Sequence, residues 1–409
     1  MSTGSRGLWR YTVIVAGSFA AALVLAEVYL ASTGGPKWNL PFYNTLYPYV
    51  MFRPPANLRY LSAEKFAMSH NTKTVHHYTN EDGLRIVSPD YELPKQKPPG
   101  QLRIAMLGGS TVEIASEFES TLPGSLKTVL RTEHAGYDIE VINAGIQSSI
   151  ARQAVVHLMF TVVNYHPDIV IFYDGHNDLG LPLMYEARPN FPYNFQTMQE
   201  AWDAYRAAYD ESLFSLILNR SYLYAAIRES LRGADETATT TNTVAKAMGR
   251  APYAMDAEDI LDDPEFVKTF VDSYLSNWRL VIDLSKIYGF QPVFVLQATS
   301  GTNRAFTIDE LNRGFFGNEQ LAANYTDAFI ALYDEAGRRI EEMRTEYPDV
   351  IFMNIGDYLE PPGDYYWDGI HVFDEVNLKL AGRIHQDMRQ MVESRLKRLP
   401  RSSATGERP

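Results

Sequence analysis

The sequence predicts an α/β fold: a doubly wound, five-stranded, mainly parallel sheet flanked by helices. Two observations predict it. Beyond Gly100, short aliphatic runs alternate with longer segments of helical character, the pattern of repeated βα units. The runs are also mostly apolar rather than alternating, as strands buried on both faces are. Such a fold assembles its functional loops at the carboxyl ends of the strands.

The predicted strands are residues 103–107, 139–143, 169–173, 292–296 and 350–354. Between them the spacing predicts helices over 122–133, 151–165, 266–288 and 319–347, and a last helix runs from about 375 to 397. The alternation breaks between Leu179 and Asp263, a Tyr- and Met-bearing stretch containing the low-complexity segment 237–243. It reads as an insertion with helices near 197–209 and 215–231, forming either a cap beside the site or a surface excursion, and 233–249 reads as mobile.

Four regions follow. Residues 1–31 are a cytoplasmic stub and transmembrane anchor, 32–100 an extended lead-in, 101–398 the main domain with its insertion at 179–263, and 399–409 a flexible tail. The anchor rests on the nearly unbroken apolar run 13–30. Arg6 and Arg10 precede it and no basic residue follows until Lys37, which places the remainder on the extracytoplasmic side. Glu27 would cost about 2.5–3.5 kcal/mol at mid-bilayer, but near the outer end its carboxylate reaches the headgroups. A cleaved signal peptide is the competing reading, and no clean small-x-small site follows the run. The lead-in is rich in Pro, Tyr and Asn, with a turn at Asn80-Glu81-Asp82-Gly83. His76 and His77 are adjacent, so on a strand they face opposite ways, and an exposed pair is expected rather than a metal site.

Composition narrows the function. Hydrophobic residues make up 45% of 409, enough for a large core, which excludes wholesale disorder. A formal net charge of −13 with no basic stripe argues against nucleic acid as a partner. The absence of cysteine rules out disulfides, thiolate metal sites and a cysteine nucleophile.

Four motifs carry residues capable of chemistry. In Gly108-Gly109-Ser110-Thr111 the glycines let the chain turn sharply after a strand, leaving the serine at a helix start; alone, such a serine is usually a helix N-cap or a loop residue. No Gly-Lys-Ser/Thr follows, so it is no phosphate-binding loop. In Asn143-Ala144-Gly145 a glycine exposes a backbone N–H, as an oxyanion donor requires, or simply makes a tight turn. In Gly175-His176-Asn177-Asp178 the asparagine amide can donate to a developing oxyanion, although Asn-Asp is also ordinary loop chemistry. His176 reads as a rim residue rather than the base. In Asp368-Gly369-Ile370-His371 a carboxylate can bond to Nδ1–H and leave Nε2 to accept a proton, or the pair can be a capping Asp and a surface His.

In that order, the four blocks resemble those of the SGNH (GDSL-like) hydrolase superfamily, over roughly residues 103–383. The resemblance implies an SGNH/flavodoxin-like fold with Ser110 as nucleophile and first oxyanion donor, and Gly145 and Asn177 as the other donors. Asp368 would orient His371, the base. Gly109 stands where the GDSL signature has Asp. The expected function is a serine esterase needing no cofactor and no metal. It would act on an acetylated glycan, a short-chain ester or a lipid through an acyl-enzyme. A membrane-tethered O-acyltransferase with the same triad, or a non-catalytic binding protein of the same fold, is the alternative. Substrate identity and oligomeric state stay open.

Overall fold

The computed structural model describes residues 15, 17–19, 21–29, 32, 45–47, 49–62, 75–180, 183, 190–192, 221, 223, 261–300, 302, 319–359, 364–367 and 370–401. The chain divides into two compact units. One comprises Met1–Phe42 and Phe195–Thr240, the other Tyr43–Asn194 and Thr241–Pro409.

In the first unit, the described residues 15, 17–19 and 21–29 are helical. Among the described residues no helix is long and apolar enough to cross a membrane, so the spanning helix expected over 13–30 is not supported. Glu27 does not serve as a free polar end: its Oε2 accepts hydrogen bonds from Ser221 Oγ and the Leu223 N–H, each at 2.8 Å. Apart from residues 221 and 223, the insertion helices expected near 197–209 and 215–231, and the segment 233–249, lie outside the described residues, as does most of the tail 399–409.

The second unit is built on an eight-stranded sheet rather than the expected five-stranded one. The lead-in contributes β1 (Thr45–Tyr47) and β2 (Met51–Arg53), a separate antiparallel pair, then β3 (Arg59–Ser62), β4 (Val75–Thr79) and β5 (Arg85–Ile86). The expected strands follow as β6 (Gln101–Gly108), β7 (Asp138–Gly145), β8 (Ile169–Asp174), β9 (Gln291–Leu296) and β10 (Ile351–Asn354). The order is β10-β9-β8-β6-β7-β5-β4-β3. Strands β6 to β10 pair in parallel, and β3 to β5 add antiparallel beyond β7. Three strands of the lead-in therefore belong to the same sheet as the main domain.

The helices are α1 (Ser110–Glu113), α2 (Leu122–Glu133), α3 (Ala151–Phe160), α4 (His176–Leu179), α5 (Pro264–Tyr288), α6 (Glu319–Glu346) and α7 (Val376–Leu396). A 3₁₀ turn, Val162–Tyr165, completes the segment expected to be one helix to Tyr165. Their ends follow capping chemistry. The Thr121 side chain accepts the Gly124 N–H at α2, and Asp263 accepts the Phe266 N–H at α5, with Pro264 at the first helical position. Gly289 closes α5 at φ 78°.

Apolar residues of α2 and α7 pack on one face of the sheet, around Ile104, Met106, Val141 and Ile171. Those of α3, α5 and α6 pack on the other, where Trp278, Phe294 and Phe352 stack. Burial on both faces explains the unbroken aliphatic runs. The register aligns Gly108 with Gly145 on one side and Tyr173 on the other, so the motifs that follow β6, β7 and β8 emerge side by side.

Candidate active site

Ser110 is the first residue of α1, with Gly109 as the capping residue in extended conformation. Its N–H therefore has no acceptor within the helix. The hydroxyl is largely buried, and Ser110 Oγ lies 2.7 Å from His371 Nε2, although 261 positions separate the two residues. That is hydrogen-bond contact in the geometry a serine needs to lose its proton to an imidazole.

His371 sits in a tight reversal. Tyr366 bridges Val372, the Trp367 N–H donates to His371 O (3.0 Å), and the Phe373 N–H donates to Tyr365 O (2.9 Å). The Trp367 ring stacks on the imidazole, with centroids 5.2 Å apart and planes 21° from parallel. Asp368 and Gly369 lie outside the described residues. Three residues beyond His371, the buried Asp374 accepts hydrogen bonds from the Ser116 N–H (3.1 Å) and Ser116 Oγ, tying this loop to the one after α1. Burial pushes the Asp374 carboxyl up to about 6, against the lowering pull of the Ser116 bonds. Thr111, Ile114, Trp367, His371, Asp374 and Asn377 line a small pocket, open to solvent, beside the Ser110–His371 pair.

Asn177 belongs to α4, just after β8. Its Nδ2 donates to Ser149 O at 2.7 Å, which leaves the second amide hydrogen for another acceptor. The side chain is pressed against Gly109: a Cβ on that glycine would fall 2.8 Å from Asn177 Nδ2. The Asn177 amide thus occupies the space that a side chain at position 109 would enter. Asp178 accepts the Ala151 N–H with both carboxylate oxygens at 3.0 Å, fixing α4 to the start of α3. His176 is buried in the core with Nδ1 3.0 Å from Thr299 Oγ1, and its ring stands edge-on to Phe329.

Gly145 ends β7. Its N–H donates to Asn143 Oδ1 (3.1 Å) within β7. A Cβ there would fall 2.7 Å from Glu113 N and 2.9 Å from Glu113 Cα, so the glycine lets α1 rest on the strand. Its backbone packs against the helix that carries Ser110. The loop after it, turning through Ser148 at φ 65°, supplies the carbonyl of Ser149 that holds Asn177.

Residues not singled out in the sequence also reach the site. His77, expected at the surface, is buried, and its Nε2 lies 2.8 Å from Glu113 Oε1, while His76 on the opposite face of β4 is partly exposed. Arg85, buried on β5, donates to the carbonyls of Glu113, Ala115 and His76. Burial alone would raise the Glu113 carboxyl. The His77 imidazole 2.8 Å away, with Arg85 and His371, outweighs burial and holds it below the usual carboxylate value. Among the described residues no cluster of three or more His, Asp or Glu side chains could hold a metal ion.

No family model matches the chain, and no curated protein matches it. Solved structures do. It is similar to an acetylxylan esterase from Geobacillus stearothermophilus, with 11% identity, covering 70% of this chain and 93% of that one at a TM-score of 0.34. A protein assigned as an acylhydrolase from Bacteroides fragilis shares 12% identity over 75% and 92% of the two chains, with a TM-score of 0.35. An acetyl xylan esterase named AlAXEase shares 14% over 69% and 98%, with a TM-score of 0.30. Likeness at this level decides nothing about activity, which has to be argued from the site itself.

Proposed function

We propose that this chain is a serine hydrolase of the SGNH type that cleaves carboxylic esters through a covalent acyl-enzyme. The observation that carries the reading is the 2.7 Å contact between Ser110 Oγ and His371 Nε2 at the carboxyl end of a parallel sheet.

Ser110 Oγ bonds to the ester carbonyl carbon as its proton passes to His371 Nε2. The oxygen of the tetrahedral intermediate takes hydrogen bonds from the Ser110 N–H and the second amide hydrogen of Asn177, which Gly109 allows to approach. The alcohol leaves with the proton from His371. Water then gives a proton to the same imidazole and attacks the acyl carbon; the bond to Ser110 Oγ breaks as His371 returns that proton to Oγ, and the acid leaves. Asp368 orients His371 in this proposal through Nδ1, which the spacing of the motif supports. The open, tryptophan-walled pocket favours a short acyl group over a long chain.

Attachment by the N-terminal segment, with this domain on the extracytoplasmic side, is part of the proposal and rests on the charge pattern around residues 13–30. Cleavage of the domain by protease added outside intact host cells checks it; complete protection contradicts it.

The catalytic reading is tested with p-nitrophenyl acetate and longer p-nitrophenyl esters. The wild type should release nitrophenol fastest from the short esters, and Ser110→Ala should fall to background. Full activity in Ser110→Ala refutes the assignment.

A further inference from the structure

Behind Ser110 lies a buried group of charges that acyl transfer does not by itself require. Glu113 stands one turn after Ser110 on α1 and is 1% exposed. Its partner His77 comes from β4, 36 positions earlier in the chain, and the two are 2.8 Å apart with both side chains buried. From β5, Arg85 clamps the carbonyls of Glu113 and Ala115, and the Ser116 carbonyl accepts the His76 N–H at 2.7 Å. On the opposite side Asn143 Nδ2 donates to Val112 O, and Gly145 lets the backbone of Glu113 settle on β7. The short helix that carries the serine is thus held from two directions, and one of them is the lead-in.

Packing alone does not call for a carboxylate here. Withdrawing an ion pair from water costs several kcal/mol per ion, and an apolar pair of the same volume would hold α1 as well or better. What a carboxylate adds is a negative charge close to the reacting pair. The charged and titratable groups around it are His77 on β4, Arg85 on β5 and His371 on the C-terminal loop, with Asp374 beyond Arg85. Against the opposing pull of burial, His77, Arg85 and His371 hold the Glu113 carboxyl below its usual range. The interaction is reciprocal, so an ionised Glu113 favours a cationic imidazole over a neutral one.

We infer that Glu113, held by His77, is a positioning residue of the Ser110–His371 pair: it fixes α1 against the lead-in strands and stabilises the imidazolium that forms when His371 takes the serine proton. The lead-in is then part of the catalytic apparatus. This rests on the serine-hydrolase reading above, and the test separates the two.

The rate of fluorophosphonate labelling of the full-length protein is measured from acid to mildly alkaline pH. Labelling requires the activated serine and no knowledge of the substrate. In Glu113→Gln the acid limb of the profile should move to lower pH by about one unit, with a plateau roughly tenfold lower. In His77→Gln the Glu113 charge loses its local partner while Arg85 keeps it ionised, so the limb should move the other way. A merely structural role lowers the plateau and moves neither limb. Limbs unmoved in both variants, or moved in the same direction, overturn the inference while the labelled wild type leaves the hydrolase reading intact. If Glu113→Gln does not fold, His77→Gln decides alone: an upward move supports the inference and no move overturns it. A wild type that is not labelled at any pH overturns the hydrolase reading and this inference with it.

Discussion

Gly109 and Asn177 are so closely apposed that a methyl group on the glycine would fall 2.8 Å from the asparagine Nδ2. The atom in the way is the end of a side chain, so it can swing aside without moving the backbone. Gly109→Ala should therefore fold normally but displace the amide from Ser149 O. Expected is a loss in kcat approaching that of a missing oxyanion donor, roughly 10²-fold, with an unchanged melting temperature. A variant with normal kcat shows that the amide position is immaterial.

Removing the amide itself is the complementary experiment. Asn177→Ala should lower kcat by roughly 10²–10³-fold with little change in KM, because the donor acts on charge that appears only in the transition state. A rise in KM alone assigns Asn177 to substrate binding instead.

Gly145→Ala differs in kind, because the added Cβ would meet backbone atoms of Glu113 at 2.7 and 2.9 Å. Backbone cannot yield cheaply, so the variant should lose about 1–3 kcal/mol of stability in urea titration, together with activity, as α1 is pushed off β7. Lost activity at full stability would return Gly145 to the role of oxyanion donor.

The carboxyl groups of Asp174 and Asp178 are both raised by burial, in Asp178 reinforced by Asp174. Asp174 accepts hydrogen bonds from Tyr274 Oη (2.6 Å) and Trp278 Nε1 (3.1 Å). The folded state holds these protons more tightly than the unfolded chain does. The stability so contributed is complete below the ordinary carboxylate value and is lost as pH rises through the raised one. Asp174→Asn cannot ionise and escapes that loss. Its melting temperature relative to wild type should rise steadily from about pH 4 to above neutrality. A difference independent of pH contradicts the assignment.

The sheet from β6 to β10 was legible because its strands are buried on both faces and read as aliphatic runs. The helix bounds were legible where Thr121, Asp263 and Gly289 cap them. The lead-in strands were not. Val75–Thr79 carries two histidines and a tyrosine, and β5 joins β7 through the single register pair Arg85–Asn143, so neither has the composition of a core strand. The spacing of four blocks brought Ser110, Asn177 and His371 to notice, since each follows a strand or launches the last helix. For Gly145 the sequence left two roles open, because a glycine that admits a helix and one that bares an N–H look alike. The Glu113–His77 pair left no local signal: its partners lie on a helix and a strand whose pairing only the folded sheet determines.

The central claim is that His371 takes the proton of Ser110. The most direct measurement is peptide mapping by mass spectrometry after fluorophosphonate treatment of the wild type and of His371→Ala, with the labelling rate followed in both. A single adduct on the peptide bearing Ser110, formed at least roughly 10³-fold more slowly in His371→Ala, is the predicted result. An adduct on another serine, or equal rates in the two proteins, contradicts it.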